Sequence, residues 1–215
     1  MVIGNGMIAK AFESYRDKEG FIIFASGVSD STSADTAAFE REIKLVYNTI
    51  INNSGKLFAY FSTCSIYDSS MQHSAYVHHK IKVENLIIKH CSPFIIFRLT
   101  NPIGNTRNTH TVVNYFINHI VENSKFIVWN NASRNIIDID DMYLICNEIL
   151  QEKLFINSIV NIANPQNYPV TFIVETIENY FNIRANYGLV DKGGSPVIDT
   201  TAVKPLFTKF NINFD

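Results

Sequence analysis

Gly4-Asn5-Gly6-Met7-Ile8-Ala9 is the stretch that decides how the rest of this chain is read. It follows a short apolar run, Met1 to Ile3, and opens a segment where Met7, Ile8, Ala11, Phe12 and Tyr15 recur at helical spacing. A G-x-G-x-x-A pattern between a strand and a helix has a physical use. The first glycine permits a tight turn, the second lets a pyrophosphate approach the backbone, and the small third residue lets helix and strand pack closely. Free N–H groups at the helix start then point at the anion. Gly4, Asn5, Gly6, Met7 and Ile8 are therefore the expected dinucleotide-binding residues.

Outward from the loop, apolar runs of strand length alternate with helix-period segments. Phe21 to Ala25, Leu57 to Phe61, Phe94 to Leu99 and Ile159 to Ile162 read as buried strands. Phe39, Ile43, Val46, Tyr47, Ile50 and Ile51 mark one amphipathic helix between them, and a second runs from about Tyr76 to His90. Ile136 to Ile139 is a short β-like run, Asp140 and Asp141 suit a helix start through Leu150, and Thr171 is placed to cap a later helix. This alternation implies an α/β, Rossmann-like three-layer αβα architecture with a mostly parallel, shortened sheet and a small C-terminal substrate lobe. With no repeat or linker in 215 residues, the expectation is a single nucleotide-binding domain over 1–215. Residues about 104–135 and 163–215 are expected to form its small substrate-binding part.

One acid is missing. Rossmann units place Asp or Glu about 20 residues after the glycines to hold the adenosine ribose. Here the next strand ends in Ala25-Ser26-Gly27.

Tyr76-Val77-His78-His79-Lys80 contains a Y-x-x-x-K pair, whose spacing puts both side chains on one helix face. An ammonium near the phenol is expected to lower a pKa that starts near ~10, so that tyrosine can exchange protons near neutral pH. Alone the pair is weak, since ten tyrosines and 18 Lys+Arg produce about one by chance. His78 and His79 are expected to face outward or pack. The context strengthens the pair. Phe61-Ser62-Thr63-Cys64-Ser65-Ile66-Tyr67 lies upstream, Arg98-Leu99-Thr100-Asn101-Pro102-Ile103-Gly104 downstream, then Arg134 to Asp141, and finally Asp199-Thr200-Thr201 with Lys204 and Leu206.

In that order these segments resemble the extended short-chain dehydrogenases, specifically the NAD-dependent sugar-nucleotide epimerases, dehydratases and reductases. The resemblance covers most of the chain. It implies catalysis by Thr63, Tyr76 and Lys80, with Thr63 holding the substrate oxygen. It implies NAD or NADP as cofactor, held also by Ala25, Ser26, Gly27, Tyr76, Lys80, Asn101 and Pro102. It implies a nucleotide-sugar substrate against Ser65, Asn101 and Arg134. In the family the strand ending in small residues is normally the fourth, so this chain has lost the second and third strands and the ribose clamp with them. A homodimer through the two long helices is implied as well.

The residues after Thr63 narrow the reaction. The family's dehydratases carry Asp-Glu there, whereas this chain has Cys64 and Ser65. The bifunctional epimerase/reductases place a Cys two residues before Tyr67, a place taken here by Ser65. A 4-keto-sugar reductase is the leading expectation, a C4 epimerase the second, and a non-catalytic nucleotide-binding relic the third.

Composition sets the outer bounds. Hydrophobic residues make up 47% and charged residues 18%, an ordinary globular balance. A formal charge of -2 without a basic run argues against nucleic acid or an anionic membrane as partner. Cys64, Cys91 and Cys146 are too widely spaced for a disulfide framework or a zinc site, so no metal is expected. No apolar stretch approaches the ~20 residues of a membrane span, and no leader pattern precedes the glycines. The expected location is cytoplasmic.

Overall fold

A computed structural model of the chain describes residues 1–104 and 111–214. In chain order its elements are β1 (Val2–Ile3), α1 (Met7–Ala11), β2 (Phe21–Phe24), α2 (Thr36–Ile51), β3 (Leu57–Thr63), α3 (Ala75–His90), β4 (Phe94–Leu99) and β5 (Asn101–Ile103). They continue with α4 (Val112–Val121), β6 (Phe126–Trp129), β7 (Ser133–Arg134), β8 (Ile136–Asp138), α5 (Ile139–Gln151) and β9 (Ser158–Ile162). The last are β10 (Tyr168–Pro169), α6 (Val170–Phe181), β11 (Tyr187–Val190) and α7 (Lys204–Lys209).

The main sheet runs β1-β2-β3-β4-β9, and every neighbouring pair in it is parallel. Both faces are covered, so its strands are almost continuously apolar. The side-chain period of two sorts them cleanly. Ile22, Phe24, Phe58, Tyr60, Phe94 and Ile96 pack with Val46, Ile50, Val83 and Ile87 of α2 and α3. Ile23, Ala59, Phe61, Ile95 and Phe97 face the other way, against Ala9 of α1, Ile145 and Ile149 of α5, and Leu206 and Phe207 of α7. The result is the expected three-layer αβα stack with a five-stranded parallel sheet.

In a Rossmann sheet the first strand lies between the two halves. Here, among the described residues, β1 pairs only with β2 and is an outer strand. The connection from α1 to β2 turns back at the opening end of the strands, where the Met1 ammonium donates to the carbonyls of Tyr15 and Phe21 at 2.8 and 3.0 Å. A third core lies apart from the sheet, built from Phe116 and Ile120 of α4, Phe126 and Val128 of β6, and Ile173, Val174 and Ile177 of α6. Its residues fall between 112 and 187, whereas Leu206 and Phe207, also within the range expected for the small lobe, pack on the main sheet instead; residues 105–110 lie outside the described ones.

Two local expectations need correction. The first helix stops at Ala11, and Glu13–Tyr15 continues as a tighter 3-10 turn. Residues three apart eclipse in that geometry, which lets Phe12 and Tyr15 both bury. Thr171 does not cap α6. The helix starts at Val170 with Pro169 in the cap position, two residues earlier than expected, and the Val170 N–H is satisfied by the Ala132 carbonyl at 2.9 Å.

Candidate functional site

Parallel strands deliver their carboxyl ends to one edge of the sheet, and the loops leaving β1, β2, β3 and β4 converge there. They enclose a cavity of about 300 Å³. Gly6, Met7 and Ile8 line it from the glycine turn, Ala25 and Gly27 from the end of β2, and Asn101 and Pro102 from the segment after β4. Thr63 and Ser65 enter from β3, Tyr76 and Lys80 from α3, and Arg134 from β7. Most of the site residues expected from sequence are thus brought around one space.

Gly4, Asn5 and Ser26 are not among its lining. Gly4 works from behind: its φ is +128°, and a Cβ there would lie 2.2 Å from the Ala25 carbonyl oxygen. It therefore permits β1 and β2 to close together. Above Gly6 a Cβ would meet nothing within 4 Å, so the approach to that backbone is open. Asn5 is exposed.

α3 carries the candidate chemistry on its inner face. Ser74 caps the helix by accepting from the Val77 N–H at 3.2 Å. Tyr76, Lys80 and Glu84, four apart in turn, are all buried on that face. Lys80 Nζ lies 5.8 Å from the centroid of the Tyr76 ring. Thr63 ends β3 and starts a 3-10 turn, its Oγ1 donating to Ser65 Oγ at 2.8 Å and accepting from the Ser65 N–H at 3.0 Å.

The expected acidification of Tyr76 by Lys80 is not what the structure shows. Burial pushes the Tyr76 phenol up to about 12. Its hydrogen bond with Thr63 opposes the rise, and the negative charges of Glu42 and Asp30 add to it. Burial is the main cause, and a buried acid behind Lys80 adds to it. Lys80 Nζ donates to Glu42 Oε1 and to the Tyr60 hydroxyl, each at 3.1 Å. Tyr60 donates to the same Oε1 at 2.6 Å, His79 Nε2 meets Oε2 at 2.8 Å, and the Val28 N–H donates to Oε2 at 2.7 Å. Burial alone would raise the Glu42 carboxyl, but His79, Lys80, Tyr60 and Val28 together hold it at about 2. Burial lowers Lys80, against the pull of Glu42. Gly27 closes this cluster: a Cβ there would come within 2.6 Å of both Glu42 Oε1 and Lys80 Nζ.

A second buried acid braces the next turn. Glu84 accepts from Ser62 Oγ at 2.6 Å and takes a two-pronged pair from Arg98, at 2.9 and 2.6 Å. Arg98 NH1 also reaches the Tyr67 hydroxyl at 3.2 Å. The arginine of the R-x-x-N-P-x-G segment is therefore a structural brace. His79 stacks on Phe39 at 4.2 Å between centroids, while His78 is exposed. Arg134 donates to the Ser133 carbonyl at 3.0 Å and lies 3.9 Å from Asp68 Oδ2. Burial raises the Cys64 thiol to about 12, and its Sγ contacts the Arg98 carbonyl at 3.1 Å, so it has no acid role.

Glu42, Tyr60 and Glu84 escaped the sequence reading. Glu42 had a signal: it sits between Phe39, Ile43 and Val46 on the apolar stripe of α2, where an acid needs a partner.

No protein-family model matches the sequence, and no curated protein matches it. Solved structures do. The chain is similar to the dTDP-glucose 4,6-dehydratase of Bacillus anthracis in complex with NAD, with 12% identity, 94% of this chain and 71% of that one covered, and a TM-score of 0.72. It is similar to the UDP-glucuronic acid 4-epimerase of Bacillus cereus, crystallised with UDP-glucuronic acid and NAD, with 15% identity, 95% and 73% coverage, and a TM-score of 0.73. The chain has the fold of the NAD-dependent sugar-nucleotide epimerases and dehydratases. A further structure of this extended short-chain dehydrogenase fold, the Bordetella bronchiseptica enzyme WbmG with NAD and UDP, matches with 16% identity, 95% and 69% coverage, and a TM-score of 0.71. Among the described residues no helix is long and apolar enough to cross a membrane.

Proposed function

We propose that this chain is an NAD(P)-dependent oxidoreductase acting on a nucleotide-linked sugar, working as a 4-keto-sugar reductase. The observation that carries the reading is Tyr76: a phenol kept un-ionised, facing Thr63, at the wall of a cavity that also touches the glycine turn. A phenol raised to about 12 is fully protonated at neutral pH, which is the form that reduction of a ketone draws on. When bound, the reduced nicotinamide supplies the hydride to the carbonyl carbon. Tyr76 donates its proton to the carbonyl oxygen, and the Thr63 hydroxyl orients that oxygen. Lys80 turns its cavity side toward the nicotinamide ribose. Arg134 and Asn101 meet the nucleotide-sugar, and the small lobe closes over it. The positions where a dehydratase would need acids hold Cys64 and Ser65, and neither serves.

The test is turnover of a nucleotide-linked 4-keto sugar with NADH or NADPH. Stoichiometric loss of 340 nm absorbance supports the reading, as this is the general signature of nicotinamide oxidation. An epimerase instead retains its cofactor through both half-reactions. Bound-nicotinamide fluorescence in the protein as purified, with no net oxidation, would move the assignment to the C4 epimerase. Absence of dinucleotide binding at millimolar concentration would leave only the non-catalytic reading.

The sheet also sets how the cofactor is held. The glycine turn, Lys80 and Asn101 fit the nicotinamide half. The adenosine half has no strand beyond β1 among the described residues, and Glu13, Asp17 and Glu19 belong to the connection at the opposite end of the sheet. A clamp of charged hydrogen bonds contributes about 1.5–3 kcal/mol each. Without it, reduced nicotinamide mononucleotide should bind within about tenfold of NADH by calorimetry, equivalent to less than about 1.4 kcal/mol. NADH binding about a thousandfold tighter, near 4 kcal/mol, would mean an adenosine site exists elsewhere. The homodimer remains part of the proposal, because α2 and α3 leave Tyr47, Ile51, Ile81 and Ile88 exposed on their outer faces.

A further inference from the structure

Three charged side chains line the cavity among the described residues: Asp68, Lys80 and Arg134. Lys80 is turned back onto Glu42 and Tyr60, which leaves Asp68 and Arg134 to set the charge of the substrate end. Asp68 follows the 3-10 turn after β3 and is tied down on one side only. Its Oδ1 accepts from the Ser70 N–H at 2.9 Å and from the Ser70 hydroxyl at 2.6 Å. Its Oδ2 lies 3.9 Å from Arg134 NH1, too far for a hydrogen bond, and that NH1 donates to the Ser133 carbonyl instead. Both side chains are mostly buried, with 14% of Asp68 and 27% of Arg134 exposed. Among the described residues no donor takes up Oδ2, so its acceptor capacity stays in the cavity beside the arginine.

We infer that Asp68 is a specificity-determining residue of this site: its free carboxylate oxygen accepts a sugar hydroxyl and repels the second charge of a free terminal phosphate. The inference rests on the nucleotide-sugar reading and adds which form of the nucleotide the site takes. A phosphate oxygen held by Arg134 NH1 at hydrogen-bond distance sits within about 7 Å of Asp68 Oδ2. That is inside the screening length of about 8 Å at physiological salt, and partial burial weakens the screening further. A nucleoside diphosphate ends in a phosphate that loses its second proton near pH ~6, so at about pH 8 that group carries nearly two charges. The sugar ester of the same phosphate carries one, and hydroxyl donors follow it. An ionised carboxylate is an acceptor only, so it pairs with a hydroxyl and has nothing to offer a phosphate oxygen. Arg134 alone would favour the more highly charged ligand, the free diphosphate. Asp68 reverses that order, by repelling the wrong ligand as well as holding the right one.

Calorimetry at about pH 8 tests this without turnover, comparing UDP with UDP-glucose and dTDP with dTDP-glucose. The wild type should bind the sugar ester of at least one pair about tenfold more tightly than the free diphosphate, despite its lower charge. Asp68→Asn keeps an oxygen for Ser70 and loses the charge. In that variant the free diphosphate should gain about tenfold, leaving the two ligands within about threefold of each other. Arg134→Gln should weaken both ligands and keep the preference for the ester. An Asp68 that merely shapes the turn would shift both ligands together in Asp68→Asn. That outcome, or a wild type that holds the free diphosphate as tightly as its ester, overturns the inference and leaves the nucleotide-sugar reading standing. The wild-type comparison decides alone if Asp68→Asn does not fold. A wild type that binds none of the four removes the nucleotide-sugar reading and the inference together.

Discussion

Tyr76→Phe protein should turn over the keto sugar about a thousandfold more slowly than the wild type, while binding cofactor equally well. The substitution is close to a pure deletion of chemistry. Tyr76 is buried, its ring packs against the cavity wall, and phenylalanine preserves that packing. What is lost is the hydroxyl that faces Thr63. A positioned general acid typically contributes about 10²–10⁴-fold, and no neighbour can replace this one. Cys64 is a thiol raised to about 12 and turned to the Arg98 carbonyl. Lys80 is occupied by Glu42 and Tyr60. Single-turnover absorbance measurements with saturating cofactor check it. Undiminished turnover in Tyr76→Phe would place the proton donor elsewhere.

Glu42→Ala should be the most destabilising single change among the site's neighbours. Removing one partner of a buried ion pair strands the other charge away from water, at about 3–5 kcal/mol. In a chain of this size that lowers the thermal midpoint by about 10 °C or more. Three partners besides Lys80 also lose their contact with the carboxylate: the buried Tyr60 and His79 and the half-buried Val28 N–H. Glu13→Ala, which breaks the exposed pair with Arg16, should leave the melting curve where it is. The pH dependence has a definite sign. Glu42 is held at about 2, below its ordinary 4.5, so its contribution is present above 4.5 and is lost as pH falls toward 2. Urea melts at descending pH should show the wild type losing stability through that window, with Glu42→Ala losing less. Equal slopes would contradict the buried carboxylate.

The sheet was legible in the sequence because its strands are buried on both faces. Runs such as Phe21-Ile22-Ile23-Phe24 and Phe94-Ile95-Ile96-Phe97 have no other comfortable home. The glycine turn was legible for a different reason: Gly4 adopts a φ that only glycine tolerates easily, so its identity reports backbone geometry directly. The shortness of the sheet could be read too, from the Ala25-Ser26-Gly27 that ends the strand after the glycine helix. The electrostatics of the site could not. Periodicity marks Glu42 as an acid on an apolar stripe, but its partner Lys80 lies 38 residues away and nothing local names it. The Y-x-x-x-K spacing suggested an acidic phenol, but it does not report how deeply Tyr76 is buried, and burial is the main cause that raises it. The start of α6 was missed similarly, since the carbonyl that replaces a capping side chain comes from distant Ala132.

A crystal structure of the protein soaked with NADH and a nucleoside diphosphate tests the account most directly. The expected result is a nicotinamide ring between Tyr76 and Asn101, its ribose at Lys80, with the diphosphate at Arg134 and the adenosine exposed beyond β1. A nicotinamide outside this cavity, or side-chain movement that closes the space above Gly6 when ligand is present, would contradict it.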